Sequence, residues 1–217
     1  PLAVRARDGE DERVLPGRRL ERCGGGGRRG RRRRAAVRAA IRRRTPRGDG
    51  GPTGLELHKL RTIDDRQAAD ITFTDVRLPG DALIADENAI EILEKAWDTA
   101  TAAVVSEAVG LMRKVFTDTV EYSKQREQFG VPIGSFQVLQ HRMVDMHLEL
   151  EQSVAAQYFA ILSLEGSPAE RAAAVSAAKA TVSRAARFIG QNAVQLHGGM
   201  GMTEELAIGH YFRRATM

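Results

Sequence analysis

The sequence has one cysteine, Cys23, and no cluster of cysteine and histidine at metal-ligand spacing. An internal disulfide is therefore excluded, and neither a disulfide framework nor a metal site is predicted. No apolar run approaches the roughly 18–20 residues that a helix needs to cross a bilayer. The first residues lack both an initiator methionine and the apolar core of a signal peptide. These absences predict a cytoplasmic protein with no membrane partner.

The first fifty residues also lack lysine and aromatic residues, but they contain 17 arginines against six acidic residues, a formal charge of +11. The rest of the chain carries −6, so the high pI comes from this segment. Such a stretch cannot bury enough apolar surface to offset the entropy of ordering it. We predict residues 1–52 to be a low-complexity Arg/Gly-rich segment, either disordered or translated out of frame. A basic arm for nucleic acid is a further hypothesis, but no nucleic-acid partner is predicted, since lysine and aromatic residues are absent.

A short β region comes next in the sequence. Ile71 and Phe73 alternate with polar neighbours over residues 71–76, which predicts a strand. Thr62 and Ile63 are candidates for a strand before it. One or two strands cannot form a stable sheet alone. Residues 53–86 are therefore predicted to be the remnant of a β domain.

From residue 87 onwards, apolar residues recur at every third or fourth position, which is the period of an amphipathic helix. Turns rich in glycine and proline interrupt the pattern. The predicted helices cover residues 90–129, 136–165, 168–197 and 204–217. Long helices joined by short turns predict a mostly α chain, with an antiparallel four-helix bundle over residues 87–217.

The third helix has the clearest start and the clearest buried face. Ser167 and Glu170 form a capping box around Pro168, which is a strong signal for the beginning of a helix. Its predicted core positions are Val175, Ala178, Val182, Ala185, Ile189, Ala193 and Leu196. The corresponding stripe of the first helix includes Trp97, and that of the second includes Tyr158.

The turns between the helices contain the residue types that bind phosphate. Arg126 closes the first helix, and residues 195–201, rich in glycine, close the third. Arginine offers a planar fork of donors, and glycine lets a backbone approach a ligand closely. A pyrophosphate site is one hypothesis; a solvated helix cap and a glycine C-cap are the alternatives.

Three residues near the end of the chain could act as an acid or a base. His197 has no placed catalytic partner. Glu204 and Glu205 are adjacent and face different ways on a helix, so these two glutamates are predicted to favour the helix N-terminus through its dipole.

Taken in order, the motifs from about Leu60 to Met217 resemble the acyl-CoA dehydrogenase family. The resemblance rests mainly on three stretches: YSKQREQFG at 122–130, IGSFQVLQ at 133–140 and QLHGGMGMTE at 195–204. Within the family, the last stretch is similar to a bacterial branch that includes small subunits of pimeloyl-CoA-type dehydrogenases. The resemblance implies a helical domain, a middle β domain and a C-terminal four-helix bundle. It also implies dimers or tetramers, as homo- or hetero-oligomers.

The resemblance further implies FAD as the cofactor, contacted by this bundle across a dimer interface. Arg126 matches the residue that binds the pyrophosphate of FAD. The other matching cofactor-binding positions are Gln128, Phe129, Phe136, Gln137, Gln195, Gly198 and Gly199. The implied substrate is an acyl-CoA thioester, and the implied electron acceptor is an electron-transferring flavoprotein.

The catalytic residue is unknown from this sequence. In the family a glutamate removes the α-proton while the β-hydrogen leaves as hydride. Most members carry this glutamate at a position beyond Met217, and a minority carry it where this sequence has Ala100. The chain as written is therefore expected to be an inactive fragment. A non-catalytic structural subunit and a related acyl-CoA oxidase or flavin-dependent hydroxylase are the alternatives.

Overall fold

The computed structural model describes residues 4–7, 54–76 and 88–217, and only the backbone of the first of these ranges. The chain divides into two compact units, Pro1–Glu94 and Lys95–Met217. The first unit contains a small sheet, and the second contains nearly all of the helical structure. No helix in the described ranges is long and apolar enough to cross a membrane. The same ranges contain no group of three or more His, Cys, Asp or Glu residues suited to a metal ion.

The sheet has three strands in the order β1-β3-β2: β1 (Val4–Arg7), β2 (Leu55–Arg61) and β3 (Gln67–Phe73). β2 and β3 form an antiparallel hairpin, and β1 pairs with β3 in parallel. Ile71 is 2% exposed, as its place in the apolar alternation predicts.

Three sequence expectations differ from this sheet. The predicted strand begins four residues earlier, at Gln67, and ends at Phe73. Ile63 is not in a strand, because it lies in the hairpin turn, where Asp65 has a φ of 64° and the Ile63 side chain is 58% exposed. The expectation for residues 1–52 did not include β1, which pairs with the edge of β3 that β2 leaves open. The other residues of that segment lie outside the described ranges.

Four helices form the bundle, which confirms the predicted fold class. They are α1 (Ala89–Gln125), α2 (Gln137–Leu162), α3 (Pro168–His197) and α4 (Ala207–Thr216). A hairpin of two short strands, β4 (Glu127–Gln128) and β5 (Val131–Pro132), joins α1 to α2. Short 3₁₀ turns follow β5, α2 and α3. The last helix begins three residues later than predicted, because the chain after α3 first makes a 3₁₀ turn.

All four helices contribute side chains to one apolar core. All seven core positions predicted for α3 are buried, and the capping box is present, with Pro168 in the first turn. The predicted stripes of the two preceding helices are partly wrong, since Trp97 is 76% exposed and Tyr158 is 61% exposed. Both helices carry apolar residues on more than one face, so periodicity alone does not decide which face is buried.

Candidate functional site

The corner between α1 and α2 is a tight hairpin fixed by backbone hydrogen bonds. The Arg126 amide donates to Tyr122 O at 2.9 Å, and the Ile133 amide donates to Arg126 O at 2.8 Å. The two residues of the β4–β5 turn, Phe129 and Gly130, have φ values of 54° and 78°. Positive φ at both central positions is the signature of a type I′ hairpin turn. The backbone of Arg126 is thus held from both sides.

The Arg126 side chain itself is exposed, and its guanidinium makes no hydrogen bond or ion pair within the described ranges. Next to it, the side-chain amide of Gln128 donates to the neighbouring Glu127 O at 2.8 Å. A guanidinium presents five donors in a rigid plane that matches the oxygens of a phosphate. Arg126 therefore has its full donor set available for an anionic ligand.

Phe129 occupies a conformation that side chains other than glycine rarely adopt. Its φ of 54° lies in the left-handed region, which costs a residue with a Cβ about 1–2 kcal/mol. The residue is 93% exposed, and its ring makes an edge-on contact with the Phe136 ring, with centroids 6.3 Å apart. Backbone strain of this kind concentrates at ligand-binding sites. The pair presents an apolar surface beside Arg126.

α2 begins at this same corner without a side-chain cap. Phe136 is the residue that precedes its first turn, and no side chain there accepts a hydrogen bond from the helix. The first N–H groups of a helix have no partner within the helix, and the N-terminus carries a partial positive charge. Gln137, the first residue of α2, is exposed. The start of α2 thus adds N–H donors and a partial positive charge, and both favour the binding of a phosphate.

The end of α3 provides an open glycine turn. Gly198 has a φ of 60°, and its amide donates to Gln195 O. A Cβ built on Gly198 or on Gly199 would meet no heavy atom within 4 Å. The space beside both glycines is open, so a ligand can approach their backbone closely. Gln195 is also exposed on this turn.

Tyr122 and His197 connect the corner between α1 and α2 with the glycine turn at the end of α3. The His197 ring is stacked on that of Tyr122, with centroids 4.2 Å apart and planes 25° apart. Its Nδ1 lies 2.8 Å from Ala193 O and donates to that carbonyl, while the residue is only 5% exposed. The stacking and the hydrogen bond give His197 a structural role. Because this contact joins the C-terminal ends of α1 and α3, all eight predicted cofactor-binding residues lie at one end of the bundle.

Glu204 lies in a polar network that the sequence did not predict. Its carboxylate accepts two hydrogen bonds from Arg213, at 2.9 and 3.2 Å, and His210 Nε2 lies 3.1 Å from the same carboxylate. The hydrogen bond from Arg213 is the main cause that lowers the pKa of Glu204. The prediction that this glutamate favours the N-terminus of the last helix is incomplete, since it also contacts side chains on the first and second turns of α4.

Asp98 is the second polar residue whose partner the sequence did not reveal. Its Oδ2 lies 2.9 Å from Nε of Arg171, and the two side chains are 13% and 8% exposed. The two residues are 73 positions apart, so no local spacing indicates the pair. A carboxylate held in this way is poorly placed to remove a proton from a substrate.

Comparison with known proteins decides the family. The family profile described as "Acyl-CoA dehydrogenase, C-terminal domain" matches residues 90–217. The chain belongs to the acyl-CoA dehydrogenase family. It is 32% identical over 155 residues to the short-chain-specific acyl-CoA dehydrogenase of Megasphaera elsdenii, a match that covers 70% of this chain and 40% of that protein.

A second curated relative has the same family name, and a solved structure shares the fold. The acyl-CoA dehydrogenase IpdE2 of Mycolicibacterium smegmatis is 39% identical over 118 residues, which cover 54% of this chain and 36% of that protein. The structure of PigA with FAD and proline superposes with a TM-score of 0.69 at 26% identity, covering 78% of this chain and 45% of that one. The chain thus spans about two fifths of the length of the curated relatives it matches.

FAD is the cofactor of acyl-CoA dehydrogenases, and the residues at this end of the bundle fit a part of it. The pyrophosphate of FAD needs cationic donors, which Arg126 and the uncapped start of α2 can supply. The adenine ring needs an apolar or aromatic surface, and Phe129 and Phe136 provide one. The open glycine turn leaves space for the ligand.

Proposed function

We propose that this end of the bundle binds the adenosine and pyrophosphate part of FAD, in an enzyme that introduces an α,β double bond into an acyl-CoA thioester. The observation that supports this most strongly is the exposed guanidinium of Arg126, which has no hydrogen-bond or ion-pair partner among the described residues, at a corner whose backbone is fixed by hydrogen bonds. When bound, FAD would supply the acceptor for the hydride. The bundle would contact the flavin of a neighbouring subunit, and the reduced cofactor would pass its electrons to an electron-transferring flavoprotein.

Each group at the site has a separate role in this proposal. Arg126 neutralises the pyrophosphate together with the first amides of α2. Gln128, Gln137 and Gln195 donate hydrogen bonds to the polar edge of the nucleotide, while Phe129 and Phe136 contact the adenine. Gly198 and Gly199 allow the ligand close to the end of α3. These roles concern binding and orientation, and no residue of this set moves a proton.

The proposal is tested by titrating the 217-residue chain with FAD into the millimolar range and following flavin fluorescence anisotropy. The Arg126→Ala variant should weaken binding by about 1.5–3 kcal/mol, or about 10- to 100-fold, which is the usual contribution of a charge-assisted contact. Arg126→Lys should recover only part of this, because lysine lacks the planar fork. Arg187→Ala is the matched control, since Arg187 is also exposed and has no hydrogen-bond or ion-pair partner among the described residues. Equal affinities for the Arg126 and Arg187 variants would reject the site.

A second function, a structural subunit that completes the flavin site of a partner, is favoured by one observation. Ala100 has no proton acceptor, and the nearby Asp98 is engaged by Arg171. The two functions are separated by adding FAD and acyl-CoAs of several chain lengths and following the reduction of a dye. Steady turnover would support the dehydrogenase and reject the structural subunit. Flavin binding without turnover is the result expected both of an inactive fragment and of a structural subunit.

A further inference from the structure

The stacked rings of Tyr122 and His197 carry two polar atoms that make no hydrogen bond to the described residues. Nδ1 of His197 lies 2.8 Å from Ala193 O. A carbonyl oxygen only accepts hydrogen bonds, so in the neutral ring Nδ1 carries the proton and Nε2 is left as an acceptor. Neither Nε2 nor the hydroxyl of Tyr122 has a hydrogen-bond or ion-pair partner in the described ranges.

Both of these atoms nevertheless reach the surface. His197 is only 5% exposed, and Tyr122 is half-buried. Within the described ranges, no fully buried side-chain nitrogen or oxygen lacks a hydrogen-bond partner. Because Nε2 and the Tyr122 hydroxyl have no such partner, each of them must be accessible to solvent. A ring that is more than nine-tenths buried and still presents one acceptor at the surface is suited to bind a ligand through that atom.

The surroundings of His197 leave only the Nε2 edge of its ring open. His197 is the last residue of α3, and the 3₁₀ turn Gly198–Met202 follows it directly. That turn packs back on the helix: a Cβ built on Gly201 would lie 3.2 Å from Cβ of His197 and 2.8 Å from Val194 O. One face of the imidazole is covered by the ring of Tyr122, and Nδ1 is held by a carbonyl of its own helix. The open edge therefore lies at the end of the bundle that contains the proposed cofactor site.

We propose that Nε2 of His197 and the hydroxyl of Tyr122 together bind the nucleoside in the adenosine half of FAD. Nε2 only accepts a hydrogen bond, whereas the tyrosine hydroxyl can both donate and accept. A ligand that fits both atoms offers a donor and an acceptor close together. The ribose hydroxyls and the adenine edge with its amino group both do so, but a phosphate only accepts. The inference rests on the proposed function, because it assigns a further part of the same cofactor.

The order of residues along α1 matches the order of groups in such a ligand. The Arg126 amide donates to Tyr122 O at 2.9 Å, which is the bond of a helical turn, so the two side chains lie one turn apart on the same side. Arg126 presents a cation with donors only, which suits the pyrophosphate. The neutral pair of Tyr122 and His197 lies one turn before it. A cationic position followed by a neutral donor and acceptor fits a pyrophosphate joined to a nucleoside.

The first test is an NMR titration of the 217-residue chain with ADP, in which the imidazole nitrogens are observed directly. The Nε2 resonance of His197 should begin as that of an unprotonated nitrogen and shift towards the hydrogen-bonded position, while Nδ1 stays unchanged. Inorganic pyrophosphate should leave Nε2 unshifted. Loss of the shift with 2′,3′-dideoxy-ADP would assign the ribose, and loss with inosine diphosphate, which lacks the amino group, would assign the adenine. An Nε2 that does not respond to ADP, that responds equally to all three nucleotides, or that becomes protonated would reject the proposal.

The second test compares the affinities of variants for FAD by fluorescence anisotropy. Tyr122→Phe keeps the stacked ring and removes only the hydroxyl, and it should weaken binding about threefold to tenfold, the usual effect of one hydrogen bond. Tyr158→Phe is the matched control, since Tyr158 is 61% exposed on α2, and it should bind as wild type. His197→Asn can still donate to Ala193 O but lacks Nε2, and it should weaken binding about tenfold. His197→Gln, whose longer side chain carries an amide oxygen as acceptor, should recover part of this loss.

The outcomes separate this inference from the proposed function. If Arg126→Ala weakens FAD binding while Tyr122→Phe and His197→Asn bind as wild type, the cofactor site stands and the nucleoside contact is rejected. If the wild-type chain binds neither FAD nor ADP, the proposed function fails and this inference fails with it. Far-ultraviolet circular dichroism checks the fold of each variant. Should a His197 variant unfold, Tyr122→Phe decides, because it leaves the packing of the ring intact.

Discussion

The ring of Tyr122 is stacked on the ring of His197, so that the last turn of α1 and the last turn of α3 are held side by side. Tyr122 lies one helical turn before Arg126, and His197 lies between Gln195 and Gly198 in the chain. The same histidine is fixed from behind by its hydrogen bond to Ala193 O. One buried ring thus positions both halves of the proposed cofactor site relative to each other.

We expect the two contacts of His197 to be separable by mutation. His197→Phe keeps a ring for Tyr122 but loses the hydrogen bond, and it should lower the free energy of unfolding by about 1 kcal/mol. His197→Ala loses both contacts and buried volume, and it should cost about 2–3 kcal/mol. Urea unfolding followed by circular dichroism measures both values. His141→Ala, at an exposed position, is the control and should stay within about 0.5 kcal/mol of wild type. Equal losses for the two His197 variants would show that the stacking contributes nothing.

The turn residue Phe129 should show a conflict between stability and binding. Phe129→Asn replaces a strained residue by one that tolerates positive φ, but it removes the edge contact with Phe136. Because these effects offset each other, the free energy of unfolding should change by less than about 1 kcal/mol. The affinity for FAD should nevertheless fall, since the exposed ring is lost. An affinity equal to that of wild type would show that the ring is not part of the site.

The start of α3 should make stability depend on pH. The hydrogen bonds of Glu170 with the Ser167 side chain and amide lower the pKa of this carboxyl below its ordinary value of 4.5. A lowered folded-state pKa means that the stabilisation is fully present above pH 4.5 and is lost as the pH falls through the lower, folded-state value. We expect the difference in unfolding free energy between wild type and Glu170→Gln to shrink from pH 6 to pH 3. A difference in unfolding free energy that stays constant over this range would show that the negative charge of Glu170 does not contribute to stability.

The same helix shows how much of the fold the sequence could predict. Its capping box and its seven core positions are local features, and all of them are present in the structure. The stripe of α2 was only partly predictable, because its exposed face, which includes Val144, Leu148 and Leu162, carries as strong an apolar pattern as the buried face. Periodicity reports that a face is apolar, but the partner that covers it is set by tertiary or quaternary packing.

The candidate site remains a prediction, and it came from a different kind of signal. By residue type alone, Arg126 and the glycine turn could equally be ordinary helix caps. The order of the motifs along the chain indicated the family, and the family resemblance implied the cofactor site. The network around Glu204 and the pair of Asp98 with Arg171 could not be predicted, since their partners are distant in sequence or lie across a turn that is not helical. Only the packing of α1 against α3 brings the last pair together.

The ion pair of Asp98 and Arg171 provides the sharpest test of that packing. With both side chains less than 15% exposed, removal of one partner leaves a buried charge without compensation, which typically costs about 3–5 kcal/mol. Asp98→Ala should therefore lower the free energy of unfolding by an amount in this range. The double variant Asp98→Leu/Arg171→Met should recover most of the loss, because apolar side chains of similar volume do not pay for desolvation of a charge.

The control for this pair is the exposed contact of Lys95 with Glu165, whose charged atoms are 3.7 Å apart. Lys95→Ala removes the same kind of charge pair near the same end of α1, but solvent screens both groups, so the expected loss is below about 1 kcal/mol. Urea unfolding of all three variants compares them directly. A loss for Asp98→Ala no larger than that for Lys95→Ala would show that the buried pair is not holding α1 to α3. Asp98 would then be free to act as an acid or base, and Asp98→Asn would have to be assayed for turnover with FAD and acyl-CoA.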